Sequence, residues 1–474
     1  MSIQKKTKYI KQDPITHILN RPDMYVGSKL FEKQHVYVYA NNVIALKEII
    51  VCPALVRTFV EILSNAIDNV EREAKMTYIS VDLNTIQCEI KNDGAVIPVE
   101  QTDVEIIKGV KEPMYNHSLI FGQLLSGSNY DNTEIRYTSG RNGLGAKLTN
   151  VLSTSFNVEG VDPINKVKLV QTWTNNMRDT TGPKVTKSTR VKGYTSIKWS
   201  WDYEWFGMKK GISQDMLDLL SMHVLNASLI TGLKVTLNGV QLPNKLASYV
   251  DLLDEWNSSD ILKLENDHSK VFVVPSTEFE AISFVNGIQT KNGGKHVNAW
   301  VDAVCRPLME KLRGSSKSAT LTIKDIKPHF KFLVVTRIPN PEFDSQEKNE
   351  LKTIVKVDPI SSYQVSKIMK WPIGATLKGL GLSKEKKQVT KAIAMSNKHP
   401  VIEGYDKANN ANGVKSKDCV LIVCEGLSAK TFAVEGISKG IGGKKGRDWF
   451  GIYPLRGKML NTRNATPTSI KNNT

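Results

Sequence analysis

No apolar run in this chain approaches the roughly 20 residues that a helix needs to cross a bilayer, so a helical span is excluded and no membrane partner is expected. The N-terminal stretch MSIQKKTKYIKQDP is basic but lacks the apolar core of a secretory signal. Cysteine is scarce. The five present (52, 88, 305, 419 and 424) form no C-x-x-C pair and are odd in number. That excludes a disulfide scaffold and a zinc ribbon, and it points to reduced, buried thiols in an intracellular protein. Internal repeats and low-complexity tracts are missing as well, which excludes solenoids and arrays. Acidic residues are in deficit, 47 against 64 Lys and Arg, for a net charge of +17. The deficit is local: Leu351 to Thr474 holds 22 Lys and Arg against 8 Asp and Glu, leaving +14 there and +3 for the first 350 residues. A basic C-terminal quarter suits a polyanion, with nucleic acid the leading candidate.

What is present is an ordinary globular composition, 40% hydrophobic and 23% charged, over a length that suggests about three domains. The pattern is α+β rather than strict β-α-β alternation. PALVRTFVEILSNAIDNVEREA (Pro53 to Ala74) reads as one long helix with Pro at its first position. YISVDL, IQCEIKND, TSIKWSWDY, GLKVTLNGVQLP and SKVFVVP read as strands, and SQDMLDLLSMHVLNASL as a helix. Composition shifts place domains at 1–243 and 244–398, a polar linker at 399–417, and a last segment at 418–474 that opens on CVLIVCEG, a buried-strand pattern ending in a carboxylate.

The long helix separates on a helical wheel. Glu61, Asn65, Asp68 and Asn69 share an arc of about 100°, and Leu55, Phe59, Ile62, Leu63, Ala66, Ile67 and Val70 fill the other side. That arc reads as a wet face, with no basic i,i+4 partner for Glu61 and no Lys or Arg between Arg57 and Arg72. A carboxylate beside amides suits a magnesium triphosphate. An amide oxygen can ligate the ion without repelling phosphate, and a carboxylate can take a proton from water.

Two further stretches bear on the same chemistry. KNDGAVIP places Asn92 and Asp93 at a strand end, where either side chain could accept an adenine amino hydrogen or simply make an Asn-Asp-Gly turn. SGRNGLGAKLTN resembles a P-loop with Ala146 in the lysine position and Leu148 after Lys147. With LLSGSNYD before it, it offers hydroxyls, amides, glycine N–H groups and Lys147 to phosphates.

Together, EILSNAIDN, NDGAVIP, LIFGQLLSGSNYD and SGRNGLGAK resemble the nucleotide-binding motifs of GHKL (Bergerat-fold) ATPases, specifically type IIA DNA topoisomerases of the eukaryotic kind. RPDMYVGS, GIQTKNGGKHVN, NPEFDSQEKNEL, CEGLSAKTFAV and YPLRGKMLNTR also resemble motifs of that family, and the set runs from about residue 8 to 463. The resemblance implies a GHKL ATPase domain with an N-terminal arm (1–243), a ribosomal-S5-like transducer (244–398) and the start of a TOPRIM domain (418–474). It implies ATP and Mg²⁺ as cofactors. Glu61 is then the general base, Asn65 the magnesium ligand, and Asn92 the adenine contact. Asp68 lies among the nucleotide-binding residues, and Arg72, Ser128 and Asn129 hold sugar and phosphates. Gly140, Arg141, Asn142, Gly143, Leu144, Gly145, Ala146 and Lys147 wrap the triphosphate, and Gln289 and Lys291 reach the γ-phosphate from the second domain. Tyr9 crosses to the nucleotide of a partner subunit, so ATP closes a homodimeric gate. Glu425 is the metal-linked acid of the TOPRIM segment, and Arg456 and Lys458 meet duplex DNA.

Val96, Gly127, Leu144 and Leu427 depart from the family pattern. The chain ends at SIKNNT with no Asp-x-Asp pair and no tyrosine domain after PLRGK, so it is expected to be the ATPase portion of a longer enzyme and not to cut DNA alone. The resemblance implies an intracellular location, in the nucleus or, for a virus, a cytoplasmic replication site. A different class, a DNA clamp with a vestigial nucleotide site, is the alternative.

Overall fold

The computed structural model describes residues 11–72, 76–107, 110–124, 126, 137, 143–253, 260–313, 321–345, 348–380, 404–455, 463 and 465. The chain divides into two compact units, Met1–Val304 with Lys327–Pro359, and Cys305–Ile326 with Ile360–Thr474. The segment 244–398 therefore contributes to both. Tyr9, Gly127, Ser128, Asn129, Gly140, Arg141, Asn142, Arg456 and Lys458 lie outside the described residues, as does the side chain of Arg72. No described helix is long and apolar enough to cross a membrane.

The first unit begins with α1 (Pro14–Asn20), the hairpin β1 (Glu32–Ala40) and β2 (Val43–Val51), and α2 (Pro53–Arg72). Next come β3 (Tyr78–Leu83), β4 (Cys88–Asn92), the hairpin β5 (Gln101–Ile107) and β6 (Val110–Tyr115), α3 (Asn116–Gly122) and α4 (Gly145–Val151). The run β7 (Ser153–Asp162), β8 (Val167–Thr174), β9 (Asp179–Thr180), β10 (Lys184–Lys187) and β11 (Tyr194–Trp201) leads to α5 (Gln214–Thr231) and the hairpin β12 (Lys234–Leu237) and β13 (Val240–Gln241). One sheet takes the order β10-β8-β7-β11-β4-β3-β12-β13, with β9 on β8, and it is antiparallel except where β12 runs parallel to β3. Alternation in β4 and β11 buries one face of that sheet, against which α2 packs. Leu55, Phe59, Ile62 and Leu63 of α2 are each at most 3% exposed, so its apolar stripe is the core stripe predicted from its spacing. α5 starts at Ser213, whose hydroxyl accepts from the Met216 N–H at 3.3 Å, and stops at Gly232 in the left-handed region.

A second sheet in the same unit follows α6 (Ser248–Leu252). Its strands are β14 (Leu262–Asn266), β15 (Ser269–Pro275), β16 (Glu280–Val285), β17 (Ile288–Gln289) and β18 (Phe330–Thr336), in the order β14-β15-β18-β16-β17. The β16–β17 hairpin turns on Asn286 and Gly287, both at positive φ (49° and 81°), the geometry for which Asn-Gly is the preferred pair. Asn238 and Gly239 do the same between β12 and β13, at a place the sequence suggests as a domain boundary. Helix α7 (Lys295–Arg313) follows β17, and α8 (Ile323–Ile326) precedes β18.

The second unit contains α9 (Ser362–Ile368), β19 (Val420–Glu425), α10 (Gly426–Lys439) and β20 (Phe450–Leu455), with β19 and β20 parallel. Its small apolar cluster is Ile437, Phe450 and Ile452. The expected strand CVLIVCEG forms but is not buried: Val420, Leu421 and Val423 are 45%, 55% and 48% exposed. Among the described residues β19 pairs with β20 alone, and α10 covers only part of so narrow a ribbon. The expectation of buried thiols holds for Cys52, Cys88 and Cys305, whereas Cys419 and Cys424, beside and on that ribbon, are half-buried.

Candidate active site on helix α2

The polar arc of α2 is not a wet face. Glu61, Asp68 and Asn69 are 7%, 4% and 6% exposed, and only Asn65 is open to solvent. Over Glu61 the cover comes from α4, which packs on α2, and over Asn69 from the turn after β4. A Cβ at Gly145 would collide with Glu61 Oε2, so the glycine lets the α4 backbone press onto the carboxylate.

Contrary to the expectation from its C-terminal neighbours, Glu61 has basic partners. Arg57, one turn earlier on the same face, forms a buried ion pair with Glu61 Oε1, and Lys348 Nζ stands 3.9 Å from the same oxygen. Arg57 lies at i−4, a position that a search for i+4 partners passes over. Burial pushes the Glu61 carboxyl upward, but the charges of Arg57 and Lys348 outweigh it and hold the group below the usual carboxylate range. Glu61 is thus held ionised in a desolvated setting.

Lys348 is itself only 7% exposed. Burial lowers its pKa, while Glu61 and Asp68 favour its charged form. It therefore belongs to a buried cluster with Arg57, Glu61 and Asp68. The segment that carries it is braced by the loop after β17. Asn292 N–H donates to Asn349 O at 2.9 Å, Leu351 N–H to Gly293 O at 3.1 Å, and Lys295 N–H to Leu351 O at 3.0 Å. Gly294 sits at φ 137°, where a Cβ would lie 2.5 Å from both Leu351 N and O. Beneath the loop, the Thr290 hydroxyl bonds the Ser283 hydroxyl at 2.6 Å and contacts Nε2 of the fully buried His296 at 3.4 Å.

Gln289 ends β17 and Lys291 lies in the bracing loop that follows it; both line a cavity beside α2. The cation that stands against the Glu61 carboxylate is Lys348, from the segment after β18. Lys147 is 1% exposed and donates to Gly143 O at 2.7 Å and to Ser126 O, tying together two stretches of the glycine-rich region. Burial draws its pKa down to about 8. Leu144 holds the N-cap position of α4 without a side-chain capping bond and packs against the core, and Ala146 is buried.

At the end of β4, the Asp93 carboxylate accepts from Thr77 N–H at 2.8 Å, Tyr78 N–H at 3.0 Å and the Thr77 hydroxyl. It is spent on internal structure, which leaves Asn92 as the strand-end group to consider for a base. Asn92 Nδ2 and Asn69 Nδ2 both donate to Asp93 O, at 2.8 and 3.0 Å, and Asn69 also reaches Ala95 O at 3.2 Å. Asn69 thus ties the turn to α2, beside Gly94 at φ 102°. The departure at Val96 is accommodated by Gly193, where any Cβ would collide with Val96 Cγ1. In the second unit Leu427 is 72% exposed. Glu425 lies at the exposed end of β19, and among the described residues no group of three His, Cys, Asp or Glu gathers to hold a metal.

An α/β sandwich with an acid-and-amide helix packed on a largely antiparallel sheet, followed by a second mixed sheet, defines a GHKL ATPase domain joined to a transducer. The family model for DNA gyrase B matches residues 247–394. The chain is 41% identical over 502 residues to DNA topoisomerase 2 of Invertebrate iridescent virus 6, covering 99% of this chain and 44% of that protein. It is 37% identical to human DNA topoisomerase 2-alpha, covering 98% of this chain and 31% of the relative. The solved ATPase region of Saccharomyces cerevisiae topoisomerase II superposes with a TM-score of 0.72 at 34% identity, over 79% of this chain and 98% of that one. The ATPase and transducer domains of Balamuthia mandrillaris DNA topoisomerase II superpose with a TM-score of 0.74 at 31% identity, over 80% of this chain and 100% of that one. The chain belongs to the DNA topoisomerase II family and corresponds to its ATPase and transducer region; it spans less than half the length of the viral and human relatives.

Proposed function

We propose that this chain binds and hydrolyses ATP with Mg²⁺, and that it is the ATP-dependent dimerisation gate of an enzyme that passes one DNA duplex through another. The observation that carries the reading is Glu61, buried and ionised between Arg57 and Lys348, with the exposed amide of Asn65 one turn on. Glu61 takes a proton from the attacking water, and Arg57 holds its carboxylate in place. Asn65 offers a hard, neutral oxygen to Mg²⁺, an ion that neutralises phosphate charge when bound. Asn92 faces the base, Asn69 fixes the turn beside it, and Asp68 balances Lys348. Arg72, Ser128, Asn129 and the stretch Gly140 to Lys147 hold sugar and phosphates.

Lys348 takes the role that the motif resemblance assigns to Lys291. A cation on the segment after β18 that contacts the γ-phosphate ties the setting of that segment to hydrolysis. Tyr9 reaches the partner's nucleotide and closes the dimer. The β19–Glu425–α10 unit is the opening of the cleavage domain, with Glu425 as its metal-linked acid and Arg456 and Lys458 on the DNA backbone. Such a protein works inside the cell, in the nucleus or at a viral replication site. The intact cluster around Glu61 favours hydrolysis over a vestigial clamp.

Glu61→Ala is the test. It should retain ATP binding and lose hydrolysis by about 10²–10⁴-fold, the scale of a lost general base. Turnover at the wild-type rate would contradict the assignment.

A further inference from the structure

On the flank of α2 that carries Arg57 lies a half-open cavity of about 80 Å³, lined also by α5 and by the β16–β17 hairpin. A single water needs about 10–15 Å³ of such space, so several would fit. Its walls are mixed: Ser64, Gln289, Lys291 and Asn349 are polar, and the rest of the lining includes an apolar part. Val60 and Leu63 of α2 and Phe284 and Ile288 of the second sheet offer such waters no partners. Against these stand Asn226 and His223 of α5. Asn226 is 3% exposed, and among the described residues neither its Oδ1 nor its Nδ2 has a hydrogen-bond partner; His223 Nε2 has none either. Leaving buried polar atoms unpaired costs stability, so an empty cavity is a poor match for these side chains.

We propose that this cavity is a regulatory site for a small neutral heterocycle bearing a carboxamide or lactam edge. The adjacent donor and acceptor of such an edge complement the two polar atoms of the Asn226 amide, and its flat apolar body fits between α2 and Phe284. Arg57 and Lys291 line the same cavity and disfavour cationic ligands. Burial and those two charges pull the His223 imidazole down to about 3, so it meets the ligand as a neutral donor or acceptor. The regulatory role follows from the walls. Arg57 lines the cavity and pairs with Glu61, and Asn349, also in the wall, follows Lys348 in the chain. An occupant therefore touches the residues that set both groups. The proposal of a rate effect rests on the ATPase reading above.

The test uses the whole 474-residue chain and nicotinamide, with uracil as the lactam counterpart. Saturation-transfer NMR without nucleotide should show contact with at least one of them. Asn226→Leu, which removes the unpaired amide and should not lower the melting temperature, should weaken that contact about tenfold or more, the scale of one or two lost hydrogen bonds. Val60→Phe, which fills the cavity from the opposite wall, should do the same with Asn226 intact. No transfer to either compound, or transfer that survives both substitutions, overturns the site and leaves the cavity to water. Saturating ligand should change ATP turnover of the wild type and leave Asn226→Leu unaffected. Binding with no change in turnover overturns the regulatory role. A chain that binds the compound but hydrolyses no ATP contradicts the ATPase reading and leaves the site standing.

Discussion

Two short segments of the first unit carry the same spelling, Gln-x-Lys, and the fold uses them in opposite ways. Gln289-Thr-Lys291 opens a loop that becomes a brace: the loop donates and accepts backbone hydrogen bonds, makes the tight contact at Gly294, and leaves Lys291 exposed. Gln346-Glu-Lys348 spells the same pattern, yet Lys348 is buried against Glu61. What separates the two is neighbourhood. A lysine acts on a carboxylate at 3.9 Å in a buried site, and matching letters elsewhere cannot substitute for that position.

Removing the parts one at a time separates the two segments by experiment. Glu61→Ala should have the largest effect on hydrolysis and makes both lysines irrelevant to the rate. Lys348→Ala should come next, slowing hydrolysis by about 10²-fold or more if its charge acts on the transition state. Arg57→Ala removes one partner of a buried pair, which should cost about 3 kcal/mol of stability in a denaturant titration. It should also change the pH profile in a definite direction. The Glu61 carboxyl is held below its ordinary range, so its contribution to stability is full above that range and is lost as pH falls through the lowered value. Without Arg57 burial weighs more heavily, the carboxyl rises, and the acid limb of hydrolysis should shift to higher pH.

Gly294→Ala attacks the brace. A side chain at φ 137° against the Leu351 backbone should cost about 2 kcal/mol or more in thermal or chemical unfolding. Added to Lys348→Ala, it should slow the folded enzyme no further, because the brace acts on the rate only through that lysine. An additive loss would show a second route from the loop to the site. Lys291→Ala should have the smallest effect, within about twofold on hydrolysis, as expected of an exposed side chain.

Much of this is legible in the residues. The period of α2, the alternation of β3, β4 and β11, and the glycines before Lys147 are local patterns, and the structure carries the helix and the strands where they are expected. Glu61 and Asn65 stand out because an acid and amides on one helix arc, with no lysine among them, are chemically unusual. The burial of that arc is not legible. At Glu61 it depends on α4, which follows α2 only after four strands and another helix, and whose first residue, Gly145, presses on the carboxylate. No helical wheel can show a cover that comes from so distant an element. Arg57 is visible in the letters, but its pairing with Glu61 runs toward the N-terminus, opposite to the i+4 direction. Lys348 becomes a site residue only through tertiary packing, since nothing in NPEFDSQEKNEL states which of its charges faces α2.

The most direct measurement is ATP turnover by Lys348→Ala and Lys291→Ala, side by side under saturating ATP and Mg²⁺, with folding of each checked by thermal melting. The account predicts a loss of about 10²-fold or more for Lys348→Ala and near wild-type turnover for Lys291→Ala. The reverse order, with Lys291→Ala inactive and Lys348→Ala near wild type, would contradict it.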